Sequence, residues 1–120
     1  MNTPRVNLLV LRAADIERSA SFYRIVGFDF LKHAHGSGPQ HYACDASGFV
    51  FELYPATAEH DISSSVRIGF AVADVDDVAS RLSSFTGARL VTAPKDSEWG
   101  RRAVVADPDG HRIELVATGR

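Results

Sequence analysis

The chain has 120 residues, of which 45% are hydrophobic, and a formal net charge of -2 at pH 7. This length suits one domain or two halves that share a core, because halves of about sixty residues bury too little surface to be stable alone. The small net charge predicts neither nucleic acid nor a membrane as partner, so a small-molecule ligand is expected. A single cysteine, no leader-like start and no apolar run of about 18 residues predict a cytoplasmic protein.

The first half predicts a strand, a helix and three further strands. Residues 6–11 are almost all apolar, which is typical of a strand covered on both faces. Asp15 suits a helix N-cap, apolar residues follow at helical spacing, and Gly27 is placed to end the helix. The further strands are predicted at residues 28–33, 41–44 and 49–54.

The second half repeats this order. Residues 66–72 predict the first strand, Asp74 the N-cap and Gly87 the end of the helix. Three further strands are predicted at residues 89–92, 101–106 and 112–117. Between the first two of these strands, residues 94–100 are interpreted as a polar connection that contains Trp99.

The pattern DxxGxxxEL occurs twice, and its second copy is displaced by 62 residues. It ends in Glu52-Leu53 in the first half and in Glu114-Leu115 in the second half. A repeat of this kind indicates two copies of one βαβββ unit. We therefore divide the single domain, residues 1–120, into a first module at 1–54, a linker at 55–65 and a second module at 66–120.

Each copy of the repeat places a glutamate inside an apolar strand. Because strand residues alternate between faces, Glu52 and Tyr54 are expected on the face that points away from the helices. If the first hairpin pairs Cys44 with Phe49, His41 lies opposite Glu52.

The same pairing argument predicts which residues face one another across the second hairpin. Pairing Ala106 with His111 places Ala103 opposite Glu114 and brings Arg101 to the same face. On the first strand of each module, Leu8 and Arg67 face the cavity as well. The predicted lining is Leu8, His41, Glu52, Tyr54, Arg67, Arg101 and Glu114.

Two segments carry a resemblance to a known family. They are residues 11–19, LRAADIERS, leading to Phe22-Tyr23 and Gly27-Phe28, and residues 107–111, DPDGH, followed by Ile113-Glu114-Leu115. With the duplication, they resemble the vicinal oxygen chelate superfamily of glyoxalases, extradiol dioxygenases, fosfomycin resistance enzymes and bleomycin resistance proteins. The resemblance implies an α+β fold in which tandem βαβββ modules form an incomplete curved barrel, the glyoxalase/bleomycin resistance fold. It also implies a homodimer with a cavity between modules, paired within a chain or exchanged between chains.

The resemblance further implies four positions for a divalent ion in the metal-dependent members. Those members take one ligand from each first strand and one from each fourth strand, which correspond here to Leu8, Glu52, Arg67 and Glu114. Leucine has no donor atom, and arginine is permanently cationic and repels a metal ion. We therefore expect no metal ligands and no cofactor, and this favours a binding protein over an enzyme.

A narrower resemblance concerns Glu98-Trp99-Gly100-Arg101 ahead of the second hairpin. It is similar to a passage of bleomycin resistance proteins, which lack the metal ligands and sequester a planar, cationic antibiotic between subunits. The first hypothesis is therefore antibiotic resistance by a metal-independent protein that binds a planar or cationic ligand. Trp99 and Tyr54 would stack on the ligand, while Glu52 and Glu114 would attract its positive groups. Trp99 is interpreted either as a lid over the cavity or as an anchor against a partner subunit.

Two alternatives remain open from the sequence. One is a metal-dependent glyoxalase- or dioxygenase-like enzyme, a lyase, isomerase or transferase, with one divalent ion held by His41, Glu52 and Glu114. The other is metal-free acid-base chemistry on a small carbonyl compound, with a buried glutamate as base and Arg67 or Arg101 holding an anionic group.

Overall fold

Strands and helices follow one another in the predicted order. The computed structural model of the chain describes residues 2–34, 36–62 and 65–118, so residues 63 and 64 of the predicted linker lie outside it. The first module contains β1 (Leu8–Ala13), α1 (Ile16–Val26), β2 (Leu31–His33), β3 (His41–Asp45) and β4 (Val50–Pro55). The second contains β5 (Arg67–Val72), α2 (Val75–Ser83), β6 (Arg89–Ser97), β7 (Gly100–Ala106) and β8 (Arg112–Ala117).

The strands of each module form their own sheet. Among the described residues, sheet A has the order β1-β4-β3-β2 and sheet B has the order β5-β8-β7-β6. In both sheets the first and fourth strands of the module run parallel, and the other neighbours are antiparallel. The helix α1 contacts sheet A and α2 contacts sheet B. This confirms the α+β fold of paired βαβββ modules, in which the described strands do not close into a barrel.

Both helices begin at the predicted aspartates. The Asp15 side chain accepts hydrogen bonds from the backbone N–H groups of Glu17 and Arg18 at 3.0 and 3.1 Å. At the start of α2, the Asp74 side chain accepts a hydrogen bond from the backbone N–H group of Asp77 at 3.0 Å. At the end of α1, Gly27 adopts φ of 130°, a conformation that glycine reaches at low cost.

The second helix ends earlier than predicted. It stops at Ser83, whereas Gly87 lies in the following turn with φ of 92°. The hydroxyl groups of Ser83 and Ser84 donate to the carbonyl oxygen of Ser80 at 2.9 and 3.4 Å. Serine hydroxyls that bond to the backbone in this way favour helix ends over helix interiors, which accounts for the earlier stop.

The prediction of a polar connection at residues 94–100 is wrong. Strand β6 continues to Ser97, and Trp99 lies in the short turn between β6 and β7. Pro94 has no N–H group to donate, but β6 is the edge strand of sheet B, and an edge strand tolerates proline. Register shifts between Leu90 and Thr92 and between Thr92 and Lys95 accommodate the extra residues.

The two modules share one core of aromatic side chains. Phe51 and Tyr23 are fully buried in the first module, with ring centroids 5.1 Å apart. Phe70, from β5 of the second module, lies 5.8 Å from Phe51 and 4.7 Å from Phe28 between ring centroids. The second module therefore completes the core of the first. Within the described part of the chain, neither helix has the length and apolar character needed to cross a membrane.

Candidate functional site

One face of sheet A carries the predicted site residues of the first module and is called here the open face of sheet A. The strand register aligns its side chains in three rows, since directly paired residues point to the same side. The rows are Leu8, Val50 and Asp45; Val10, Glu52, Ala43 and Leu31; and Arg12, Tyr54, His41 and His33. Four apolar side chains on this face are at least 36% exposed, namely Leu8, Val10, Leu31 and Val50. An exposed apolar patch of this kind is typical of a binding surface.

The third row forms a stack of planar groups across all four strands, called here the stacked row. The guanidinium carbon of Arg12 lies 5.1 Å from the centroid of the Tyr54 ring. The rings of Tyr54 and His41 are 4.3 Å apart and nearly parallel, at 6°, and those of His41 and His33 are 5.9 Å apart. Cation–π attraction and ring stacking hold these groups side by side. The result is a continuous line of flat side chains at one end of the sheet.

A cleft adjoins the stacked row. It has a volume of about 490 Å³ and is lined by Arg12, Pro39, Tyr54 and residues 57–60, which follow β4. Tyr54 and Arg12 therefore belong both to the stacked row and to the wall of the cleft. A planar molecule that enters this cleft meets an aromatic ring and a guanidinium group.

The predicted link between His41 and Glu52 is present, although the strand register differs from the prediction. Cys44 pairs with Phe51 rather than Phe49, so His41 lies beside Tyr54 and diagonal to Glu52. The distance from His41 Nε2 to Glu52 Oε2 is 3.9 Å. A shift of two residues keeps every side chain on its predicted face, because strand residues alternate with a period of two.

On sheet B, two arginines engage the second repeated glutamate on the face that points away from α2, called here the open face of sheet B. Arg102 Nε donates to Glu114 Oε1 at 2.8 Å, and an Arg67 terminal nitrogen donates to Glu114 Oε2 at 3.4 Å. The pKa of Glu114 is lowered mainly by the hydrogen bond from Arg102. The positive charges of Arg102 and Arg67 lower this pKa further. Glu114 is therefore a carboxylate at neutral pH whose charge is already balanced.

The prediction that Arg101 shares the face of Glu114 is wrong. In the second hairpin Ala106 pairs with Arg112 rather than His111, which places Val104 opposite Glu114. A shift of one residue turns each side chain to the other face. Arg101 consequently lies on the helix side of sheet B, where it donates two hydrogen bonds to Asp76 of α2, at 3.0 and 3.1 Å. Arg102 occupies the position on the face of Glu114 that was predicted for Arg101.

The residues at the four implied metal positions do not suit a divalent ion. Leu8 offers no donor, Arg67 is a cation, and the oxygens of Glu114 accept hydrogen bonds from two arginines. The alternative ligand set consists of His41, Glu52 and Glu114. His41 and Glu52 lie together on sheet A, whereas Glu114 belongs to sheet B. The remaining predicted site residue, Trp99, is 63% exposed at the tip of the β6–β7 hairpin.

Another group of potential metal ligands lies away from both open faces. Ligand atoms of Asp107, Asp109 and His111 fall within 4.8 Å of one another. Asp107 Oδ2, however, accepts hydrogen bonds from the Tyr23 hydroxyl at 2.5 Å and from His111 Nδ1 at 2.8 Å. Asp107 Oδ1 accepts from the backbone N–H groups of Asp109 and His111 at 2.9 and 3.0 Å. These contacts join the second hairpin to α1, so the group has a structural role.

Several residues of the two open faces were missed at the level of sequence. Arg12 and His33 belong to the stacked row, and Arg102 contacts Glu114. The signal for Arg12 was present, because it continues the alternation of Leu8 and Val10, but the first strand was predicted to end at residue 11. Of the predicted residues, the structure places Leu8, His41, Glu52 and Tyr54 together on sheet A. Arg67 and Glu114 lie together on sheet B.

Comparisons with known proteins agree with this architecture. A family model described as the Glyoxalase/Bleomycin resistance protein/Dioxygenase superfamily matches residues 5–115. An uncharacterized protein of Mycolicibacterium smegmatis is 32% identical over 113 residues, which cover 94% of this chain and 93% of that protein. The phenazine antibiotic resistance protein EhpR of Enterobacter agglomerans is 26% identical over 117 residues, which cover 91% of this chain and 88% of that protein.

A solved structure of an antibiotic binding protein has the same fold over the whole chain. The antibiotic binding protein TnmS3 from Streptomyces sp. CB03234 superposes with a TM-score of 0.71 at 28% identity, over 99% of both chains. The repeated βαβββ module, the two sheets and the match over residues 5–115 lead to one conclusion. The chain belongs to the glyoxalase/bleomycin resistance protein/dioxygenase superfamily.

Proposed function

We propose that this chain is a small-molecule binding protein that sequesters a planar ligand without a metal ion. The stacked row carries the proposal, because its Arg12 and Tyr54 side chains line a cleft of about 490 Å³, and the Tyr54 ring is held in place by His41, with ring centroids 4.3 Å apart. Since Arg12 and His41 lie on the two faces of the Tyr54 ring, a planar aromatic molecule in the cleft meets the edge of the ring, and edge-to-face contacts between aromatic rings are favourable. The exposed apolar side chains of the same face add a hydrophobic contribution.

Two relatives support a ligand of this class. EhpR is described as a phenazine antibiotic resistance protein, and TnmS3 as an antibiotic binding protein. Phenazine is a flat ring system, which suits a stack of planar side chains. We infer that this chain confers resistance by binding a planar compound rather than by changing it chemically.

We also propose that the protein is a homodimer in which the open faces of sheets A and B border the ligand cavity. The support is the apolar part of sheet A, where Leu8 is 52% exposed and Leu31 is 63% exposed. Apolar surface of this extent on one sheet favours association, since covering it removes apolar area from water. Trp99 at its hairpin tip would then lie against the ligand or the second subunit.

Replacing Tyr54 by alanine is expected to weaken the binding of phenazine about tenfold or more, because Tyr54 lines the cleft, and losing its aromatic contact and its apolar area costs about 1.5 kcal/mol or more. Tyr54→Phe keeps the ring and should keep the affinity within about twofold. The matched control Leu90→Ala removes an exposed apolar side chain of sheet B and should change nothing. Titration followed by Trp99 fluorescence or by calorimetry measures these constants. Phenazine binding that is absent in the natural protein, or equal in Tyr54→Ala, would contradict the proposal.

The protein is expected to purify without stoichiometric metal and to show no rise in melting temperature when Zn²⁺, Mn²⁺ or Ni²⁺ is added. The reason is the donor set, since Leu8 and Arg67 provide no ligand and Glu114 is engaged by Arg102. Elemental analysis and thermal unfolding test this. One metal ion per chain that is lost in Glu52→Gln or Glu114→Gln would instead support the enzyme with the ligand set His41, Glu52 and Glu114.

A further inference from the structure

The open face of sheet B has an unusual charge. The strand register aligns its side chains in three rows: Arg67, Arg112, Ala106 and Arg89; Gly69, Glu114, Val104 and Thr92; and Ala71, Val116, Arg102 and Lys95. Five of these twelve residues are basic and one is acidic, so this face carries a net charge of +4 on a chain whose net charge is -2. Positive charge therefore predominates on this face.

The single carboxylate of this face does not balance the excess. Glu114 is engaged by Arg102 and Arg67, at 2.8 and 3.4 Å. Among the described residues, Arg89, Lys95 and Arg112 form no ion pair within 4.0 Å. All three side chains are exposed. The face thus has positive charge available for a ligand.

The positions of the arginines add a reason to expect an anion. Arg67 and Arg112 are direct neighbours across β5 and β8, and like charges in that relation repel each other. Arg112 and Arg89 lie on either side of Ala106, about 10 Å apart across two strand spacings. Ala106 between them is 4% exposed, and its methyl group does not separate the longer arginine side chains, so both guanidinium groups can reach an anion bound over this row. Guanidinium groups match carboxylate and phosphate oxygens in charge and in shape.

We propose that the open face of sheet B binds an acidic group of the ligand, so that the ligand is a planar aromatic acid. This rests on the proposed function, in which the aromatic ring of the same ligand contacts the stacked row of sheet A. The acidic group is a carboxylate, sulfonate or phosphate that lies between Arg112 and Arg89. The charge of this face favours such an anion over the cationic ligand expected from Glu52 and Glu114 alone.

The test compares three probes that share one ring system: phenazine, phenazine-1-carboxylate and the N-methylphenazinium cation. The natural protein is expected to bind the carboxylate at least about tenfold more tightly than phenazine, and the cation less tightly than phenazine. Because the preference is electrostatic, it should decrease as the salt concentration rises. Calorimetry at two salt concentrations measures both effects.

Two double variants of equal charge locate the effect. Arg89→Gln with Arg112→Gln should reduce the preference for the carboxylate to within about twofold and leave phenazine binding unchanged. Arg5→Gln with Arg81→Gln removes two positive charges elsewhere, including the Arg81 that pairs with Asp77, and should keep the preference.

The outcomes separate this inference from the proposed function. If phenazine and its carboxylate bind equally well, or if the preference survives in Arg89→Gln/Arg112→Gln, the acid site is refuted while the planar ligand stands. If neither probe binds, both proposals are refuted. A preference that is lost in the first double variant and kept in the second supports the acid site.

Discussion

Replacing Asp107 by alanine is expected to lower the free energy of unfolding by about 3–5 kcal/mol, the cost of removing one partner from a buried charged network. Asp107 is 2% exposed and accepts four hydrogen bonds, two of them from the backbone of its own turn. The other two come from the side chains of Tyr23 and His111, which are fully buried. Because a carboxylate only accepts, Nδ1 of His111 carries the hydrogen. The alanine variant would leave these donors without their acceptor.

Two variants separate this network from the rest of the turn. Tyr23→Phe removes one donor and keeps the ring, so a loss of about 1–2 kcal/mol is expected. Asp109→Ala serves as the matched control on the same turn. Its carboxylate accepts from Ala14 and Ser19 at 3.1 and 3.3 Å in a more exposed setting, so its loss should cost about 1 kcal/mol or less.

Urea unfolding followed by circular dichroism measures these differences. An Asp107→Ala variant within about 1 kcal/mol of the natural protein would show that the network contributes little. The network joins α1 of the first module to the second hairpin, so its loss should lower the stability of the whole domain rather than of one sheet.

Leu8→Lys is expected to weaken the proposed homodimer about a hundredfold or more. Leu8 is 52% exposed and lies beside Val50 on the apolar part of sheet A. A lysine in the interface would face either the apolar face of a second sheet A or the basic face of a second sheet B. The first arrangement buries a charge without a partner and the second brings like charges together, and either costs about 3 kcal/mol or more.

Analytical ultracentrifugation over a range of protein concentrations tests this prediction. Leu90→Lys is the matched control, because Leu90 is 39% exposed on β6 but pairs with Val105 of the helix side of sheet B. It should leave the association unchanged. A natural protein that stays monomeric at high concentration, or a Leu8→Lys variant that associates as tightly, would refute the homodimer.

The two hairpins illustrate how far the sequence predicts the site. In the first hairpin the predicted register was wrong by two residues, and His41 nevertheless lies on the face of Glu52, at 3.9 Å. In the second hairpin it was wrong by one residue, so Arg101 lies on the helix side and Arg102 contacts Glu114. A turn that differs by one residue reverses the faces, and the turn sequence alone does not reveal that difference.

The sequence by itself determined the repeated βαβββ module, the caps at Asp15 and Asp74 and the faces of β1, β4 and β5. These features depend on local chemistry and on the alternation within one strand, which a single sequence displays. Only the tertiary structure decided the stacked row of sheet A, the pairing of Glu114 with Arg102 and the basic face of sheet B. Those features depend on which residues meet across neighbouring strands, and that register is set by turn geometry and core packing over the whole sheet.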